Sequence, residues 1–170
     1  MKYTFLILIA TMMTFSGCQF GGEALPKDMP KLVPAKIQVT QDGAPLAGAA
    51  VLLIDSAGNR QWEAGGMSDA SGTIELYTNG RYKGAPAGKY KVVVTKTETD
   101  PSQAGPDPGI DDPKYGEYMA KLASERLATY TLVDRKFADE KNTPLEVEIK
   151  KGGEVHKFDV GEKVKIKISG

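Results

Sequence analysis

The chain has 170 residues, with 22 basic and 22 acidic side chains and one histidine and one cysteine. Charge this evenly mixed, with no block of either sign, excludes a nucleic-acid surface or a polybasic membrane contact, and so few His and Cys exclude a zinc site. Its 19 glycines and 10 prolines, with aromatic residues mainly as scattered tyrosine, suit a turn-rich β protein.

Lys2 precedes a mostly apolar run from Tyr3 to Phe15 that ends at Ser16, Gly17 and Cys18. A charged start, an apolar stretch and small residues before a cut describe a signal peptide over residues 1–17. The run is too short to persist as a membrane-spanning helix, which needs ~20 residues. Phe15-Ser16-Gly17-Cys18 resembles the lipobox of bacterial lipoproteins. That resemblance implies removal of the preceding peptide, a diacylglycerol on the Cys18 thiol and an acylated α-amino group, with palmitate among the chains. A lone cysteine at the cut is better explained by covalent use than as a spare thiol in an oxidising compartment. At ~0.8 kcal/mol per buried methylene, two or three chains anchor where one does not. Gln19, a non-aspartate after the cysteine, resembles the sorting signal of outer-membrane lipoproteins. The expected location is therefore the cell envelope, at the outer membrane or facing the periplasm.

Residues 18–34 carry Gly21-Gly22, three prolines and little periodicity, and read as a flexible tether. The domain is expected over 35–170, about the size of one ordinary core. Lys36 to Thr40 alternates as a strand, Gln41 to Pro45 is a turn cluster, and Ala49 to Asp55 is an apolar strand that completes a hairpin. A turn at Ser56 to Asn59 leads to a strand over Arg60 to Met67. After the turn Asp69 to Gly72, Thr73 to Tyr77 alternates with Ile74 and Leu76 inward. Tyr90, Val92 and Val94 repeat the pattern. Residues 99–127 break it: a proline-rich loop, then a short helix from Pro113 with Asp111 or Asp112 as its cap. Strands resume at Leu132-Val133, at Leu145 to Ile149 and at Val164 to Ile168, with Glu and Lys outward. The expected core is Ile37, Val39, Val51, Leu53, Ile74, Leu76, Val92, Val94, Leu145, Val147 and Phe158.

The segments Lys36 to Thr40, Gly43 to Val51, Ser68 to Thr73 and Pro86 to Val94 together resemble the carboxypeptidase regulatory-like domain. Leu132 to Gly152 and Phe158 to Val160 resemble its version in planctomycete-type lipoproteins. The likeness covers roughly 36–160 apart from the insert. It implies an all-β, antiparallel Greek-key β-sandwich of transthyretin-like (prealbumin-like) type, here with a short helical and loop insert. It implies no peptidase activity. The signatures themselves are folding marks: Asp42-Gly43 and Asp69 with Gly72 suit tight turns.

Residues for catalysis are scarce. His156 lies in strand-like surroundings with no Gly-x-Ser-x-Gly nucleophile motif in the chain. The histidine-dependent hydrolase of transthyretin-like fold does not carry over to a chain with one histidine. Asp107, Asp111, Asp112 and Glu117 lack the ligand spacing of a calcium loop. No cofactor is expected. Trp62 with Tyr77, Tyr82 and Tyr90 could stack on sugar, Trp62 and Tyr82 being the candidate ligand-stacking residues. Gly72 to Leu76 and Gly88 to Tyr90 also resemble pilin and adhesin sandwiches, in which a first-strand lysine forms an internal amide bond assisted by a buried acid; Lys36 and Asp159 would be the corresponding partners, but no acid follows the Tyr90 strand at the usual place, Val94 being followed by Thr95 and Lys96. The expected function is a lipid-anchored extracytoplasmic binding or structural module of the envelope, not an enzyme. The alternative is an accessory carbohydrate-binding domain, so the expected partners are the membrane through Cys18 and an envelope protein or glycan.

Overall fold

The computed structural model describes residues 26–100, 105–124 and 127–168. The expected signal peptide, Cys18 and residues 19–25 of the tether lie outside them. In chain order the first strands are β1 (Leu32–Val33), β2 (Lys36–Gln41), β3 (Ala44–Pro45), β4 (Ala50–Asp55), β5 (Ala64–Met67), β6 (Thr73–Glu75), β7 (Tyr77–Thr78) and β8 (Tyr82–Lys83). There follow β9 (Ala85–Pro86), β10 (Gly88–Thr95), β11 (Thr97–Thr99), helix α1 (Tyr115–Ser124), β12 (Thr129–Thr131), helix α2 (Arg135–Ala138), β13 (Glu146–Ile149), β14 (Val155–Asp159) and β15 (Ile166–Lys167).

The fold is an all-β sandwich. Alternation in β2 sends Ile37 and Val39 inward, and alternation in β4 and β10 does the same for Val51, Leu53, Val92 and Val94, all buried. β4 and β10 are central in a six-stranded sheet of order β13-β10-β4-β5-β7-β8. β2 is central in the facing sheet, between β14 and β6, and also pairs with β3. The inner faces meet in one cluster that includes Ile74, Leu76, Val147 and Ile149, with Leu145 and Phe158 only half-buried at its border.

Several expectations are corrected here. β2 and β4 do not form a hairpin. β2 turns back on β3 through Asp42-Gly43, whose φ angles are 51° and 72°; the Leu46 N–H still donates to the Val39 carbonyl at 3.0 Å, but the Val39 N–H goes to the Gly72 carbonyl at 2.8 Å instead of back to this strand, and the chain then crosses to the other sheet. The strand expected over 60–67 starts only at Ala64. The alternation of residues 73–77 is shared between sheets: β6 pairs with β2 and β7 with β5, and Leu76 is buried where the chain changes layer. The sandwich is not wholly antiparallel, because β14 runs parallel to β2. The boundary at residue 34 also moves, since β1 pairs with β9 and Val33 is buried.

Beyond residue 95 the chain adds a three-stranded sheet of order β11-β12-β15. β12 lies at 129–131, so Leu132 and Val133 are buried in the loop after the strand rather than within it. Of the terminal alternation only Ile166–Lys167 is laddered, and Ile166 and Ile168 stay exposed. α1 begins after Asp112, whose Oδ1 accepts from the Lys114 N–H at 2.8 Å, and it buries no residue.

Candidate functional site

The outer face of the large sheet carries an open groove of about 640 Å³. Strand register builds it: Val93, Leu52, Gly65 and Tyr77 are successive neighbours across β10, β4, β5 and β7. Their positions alternate with Val92, Val94, Val51, Leu53 and Thr78, which point into the core, so the four face outward. Leu52 and Val93, with Ala50 and Thr95, form one wall; Tyr77 stands opposite.

The floor is bare at Gly65; its neighbour Gly66 lacks a side chain on the inner face, where a Cβ would lie 2.8 Å from the buried Ile74 side chain. A Cβ on Gly65 would lie 2.4 Å from the Val51 carbonyl oxygen, and one on Gly66 would lie 2.7 Å from that of Glu75. Neither position admits a side chain without moving backbone, so the depression is a consequence of sheet packing. At one end Asn79 and Gly80, with φ of 51° and 68°, make a two-residue turn closed by Arg81 N–H donating to the Thr78 carbonyl at 3.1 Å. The Asn79 N–H donates to the Glu63 carbonyl at 2.7 Å and its Nδ2 donates to the Gln61 carbonyl at 3.2 Å, which pins the turn to the 61–63 loop. Glu63 is the one charged residue of the lining, and its carboxylate lies 3.6 Å from Arg60.

The aromatic residues singled out from the sequence are separated. Half-buried Trp62 lines a smaller crevice of about 180 Å³ with Pro30, Asp55, Asn59 and Tyr90, away from the groove lining. Tyr82, in β8 opposite Thr78, lines neither of the two. The groove instead uses Tyr77, the member of the aromatic set whose alternation with buried Leu76 and Thr78 already pointed it outward. Tyr90 is core: its hydroxyl donates to the Pro86 carbonyl at 2.8 Å, and burial, followed by the nearby Asp55 charge, pushes its pKa up to about 12.

His156 is half-buried in β14, opposite Ile37. Lys36 and Asp159 are not bonded partners. In the parallel register Lys36 faces Val155 and Asp159 faces Thr40, an offset of four residues or about 13 Å. The Lys36 Nζ lies 3.4 Å from Glu75, and Asp159 accepts from the Thr40 hydroxyl at 2.9 Å. Lys83 also donates to Glu75, at 3.0 Å, and these two lysines, Lys83 first, hold the Glu75 carboxyl below its ordinary range. In the insert, Asp107 accepts from the Gly109 N–H and Asp112 from that of Lys114, so both carboxylates serve local turns.

No family model and no curated protein matches this sequence. Among solved structures the chain is similar to a variant of BcpA, the major pilin subunit of Bacillus cereus, with a TM-score of 0.37 and 20% sequence identity over 77% of this chain. The match spans 30% of the pilin chain. The sandwich assignment accordingly rests on the strand pairings described above.

Proposed function

We propose that the protein is a lipid-anchored, non-catalytic binding or structural module of the cell envelope that meets its partner at the groove on the large sheet. The groove carries this reading: an open depression with an apolar wall, one aromatic ring and a few polar groups is the ordinary make-up of a ligand site, and its volume lies within the usual ~300–1,000 Å³. The lipobox ending at Cys18 supports the anchor, and Gln19 supports placement at the outer membrane or facing the periplasm. The finer family reading, a carboxypeptidase regulatory-like domain of transthyretin type, is supported by its signatures falling on structural turns and on the central strand β10. Asp42-Gly43 and Gly72 have positive φ, the conformation those turn signatures imply.

The test has two parts. Cys18→Ser is expected to release the protein from membranes or leave its signal uncleaved, read by fractionation and intact mass; membrane retention at the unchanged mature mass sinks the anchor. The mature chain from Gln19 onward is expected to bind isolated envelopes. Ala50→Trp, which places a large side chain in the groove from an exposed position, should weaken that binding at least tenfold without altering the circular dichroism spectrum. Unchanged binding by the tryptophan variant removes the groove from the proposal.

A further inference from the structure

The groove's lining discriminates among ligand classes. An extended peptide binds a sheet by pairing with an unpaired edge, but this groove crosses β4 and β5, which are paired on both sides. An anionic polymer needs cations, and the lining's one charged side chain is the Glu63 carboxylate. A purely apolar ligand would cover the polar groups of Glu63, Asn79 and Thr95 at the rim and strip their remaining hydration without replacing it. A sugar matches what remains: its C–H faces cover the Tyr77 ring and the Leu52–Val93 wall, while its hydroxyls reach the carboxylate, the amide and the threonine.

Resting on the binding-module reading above, we propose that this groove is a subsite for a neutral carbohydrate, with Tyr77 as the stacking platform and Glu63, Asn79 and Thr95 as hydroxyl partners. From β10 to β7 the floor crosses three strand spacings, about 14 Å, which suits a short oligosaccharide segment lying across the strands. The bare floor at Gly65 lets a ring approach the backbone, and the pinned turn at Asn79 and Gly80 fixes the rim before the ligand arrives, which lowers the ordering cost of binding.

The experiment measures binding of the mature chain to isolated envelopes that are untreated, periodate-oxidised or protease-digested. Periodate cleaves the vicinal diols of sugars, and protease removes protein partners. The expected result is binding that survives protease, is lost after periodate, and falls at least tenfold with either Tyr77→Ala or Ala50→Trp while Trp62→Ala retains it. The tryptophan variant keeps the test valid if removal of the Tyr77 ring disturbs the fold. Binding lost to protease and indifferent to periodate overturns the carbohydrate inference and leaves the binding-module reading standing. Absence of binding to untreated envelopes overturns the module reading itself. Equal binding by wild type and Tyr77→Ala, or loss with Trp62→Ala alone, overturns the assignment of the site.

Discussion

At the residue scale, Tyr90 ties an ionisable group to the closure of the core. The residue is 4% exposed, and its hydroxyl donates to the Pro86 carbonyl four residues back. Burial, then Asp55, raises the phenol to about 12 from an ordinary 10.0. The unfolded chain therefore releases this proton more readily than the folded one, so stability falls as pH rises between these values. The contribution is complete below pH 10 and lost as pH approaches 12. Tyr90→Phe keeps the ring and deletes the hydroxyl, leaving a buried carbonyl short of a donor. It should cost about 1 kcal/mol at neutral pH and flatten the alkaline decline. Urea denaturation from pH 7 to 12 measures both effects; an alkaline slope that persists in the phenylalanine variant removes Tyr90 as its cause.

At the scale of elements, the segment between β12 and β13 braces the centre of the large sheet. Asp134 caps α2 by accepting from the Lys136 N–H at 2.9 Å, and Phe137 is buried against the core. Buried Thr143 donates its hydroxyl to the Val92 carbonyl at 2.7 Å, while the Val92 N–H donates to the Leu145 carbonyl at 2.8 Å. The segment thus joins the β10 ladder before β13 begins. Thr143→Val preserves the shape and orphans the Val92 carbonyl, so it should destabilise by about 1–3 kcal/mol, whereas Thr143→Ser should recover most of the loss. Equal stability of the valine and serine variants in a denaturant titration would assign the effect to packing instead.

Alternation made the central strands legible, because Ile37, Val39, Val92 and Val94 repeat every second residue and a sheet with one buried face needs that pattern. The same pattern misled at Val164 to Ile168, where period two says which side chains share a face but not whether anything covers it. α2 left little periodic signal and went unread, being four residues long with one buried apolar residue, and its Asp134 cap is a local mark that ordinary turns share. The hairpin was misassigned because a turn cluster shows where a chain reverses without naming the strand it then joins. The groove was harder still to read. Val93, Leu52, Gly65 and Tyr77 come from four strands and meet only through register, while Gly65-Gly66 reads locally as a break and Trp62 draws more notice than the tyrosine that lines the site.

On the scale of the molecule, the insert should be separable from the domain. α1 buries no residue, and the described core contains nothing from residues 105–124. At the base of the insert, β11 and β12 pair Thr97 with Thr131 and Thr99 with Thr129, and the Asp100 N–H donates to the Ala128 carbonyl at 2.9 Å. That geometry is the mouth of a β-hairpin, so an Asn-Gly pair joining Asp100 to Ala128 can replace the whole intervening segment as a two-residue turn. Trypsin should cut the wild-type chain first within the insert, at Lys114 or Lys121, and leave two fragments held together by the sheets. The shortened chain should melt within ~3 °C of wild type, a change below about 1 kcal/mol for a domain of this size. It should also bind envelopes as wild type does, because the groove lining takes no residue from the insert. A fall of more than ~6 °C would mean that the insert stabilises the sandwich. An unchanged melting temperature with lost binding would move the contact surface from the sheet face to the insert.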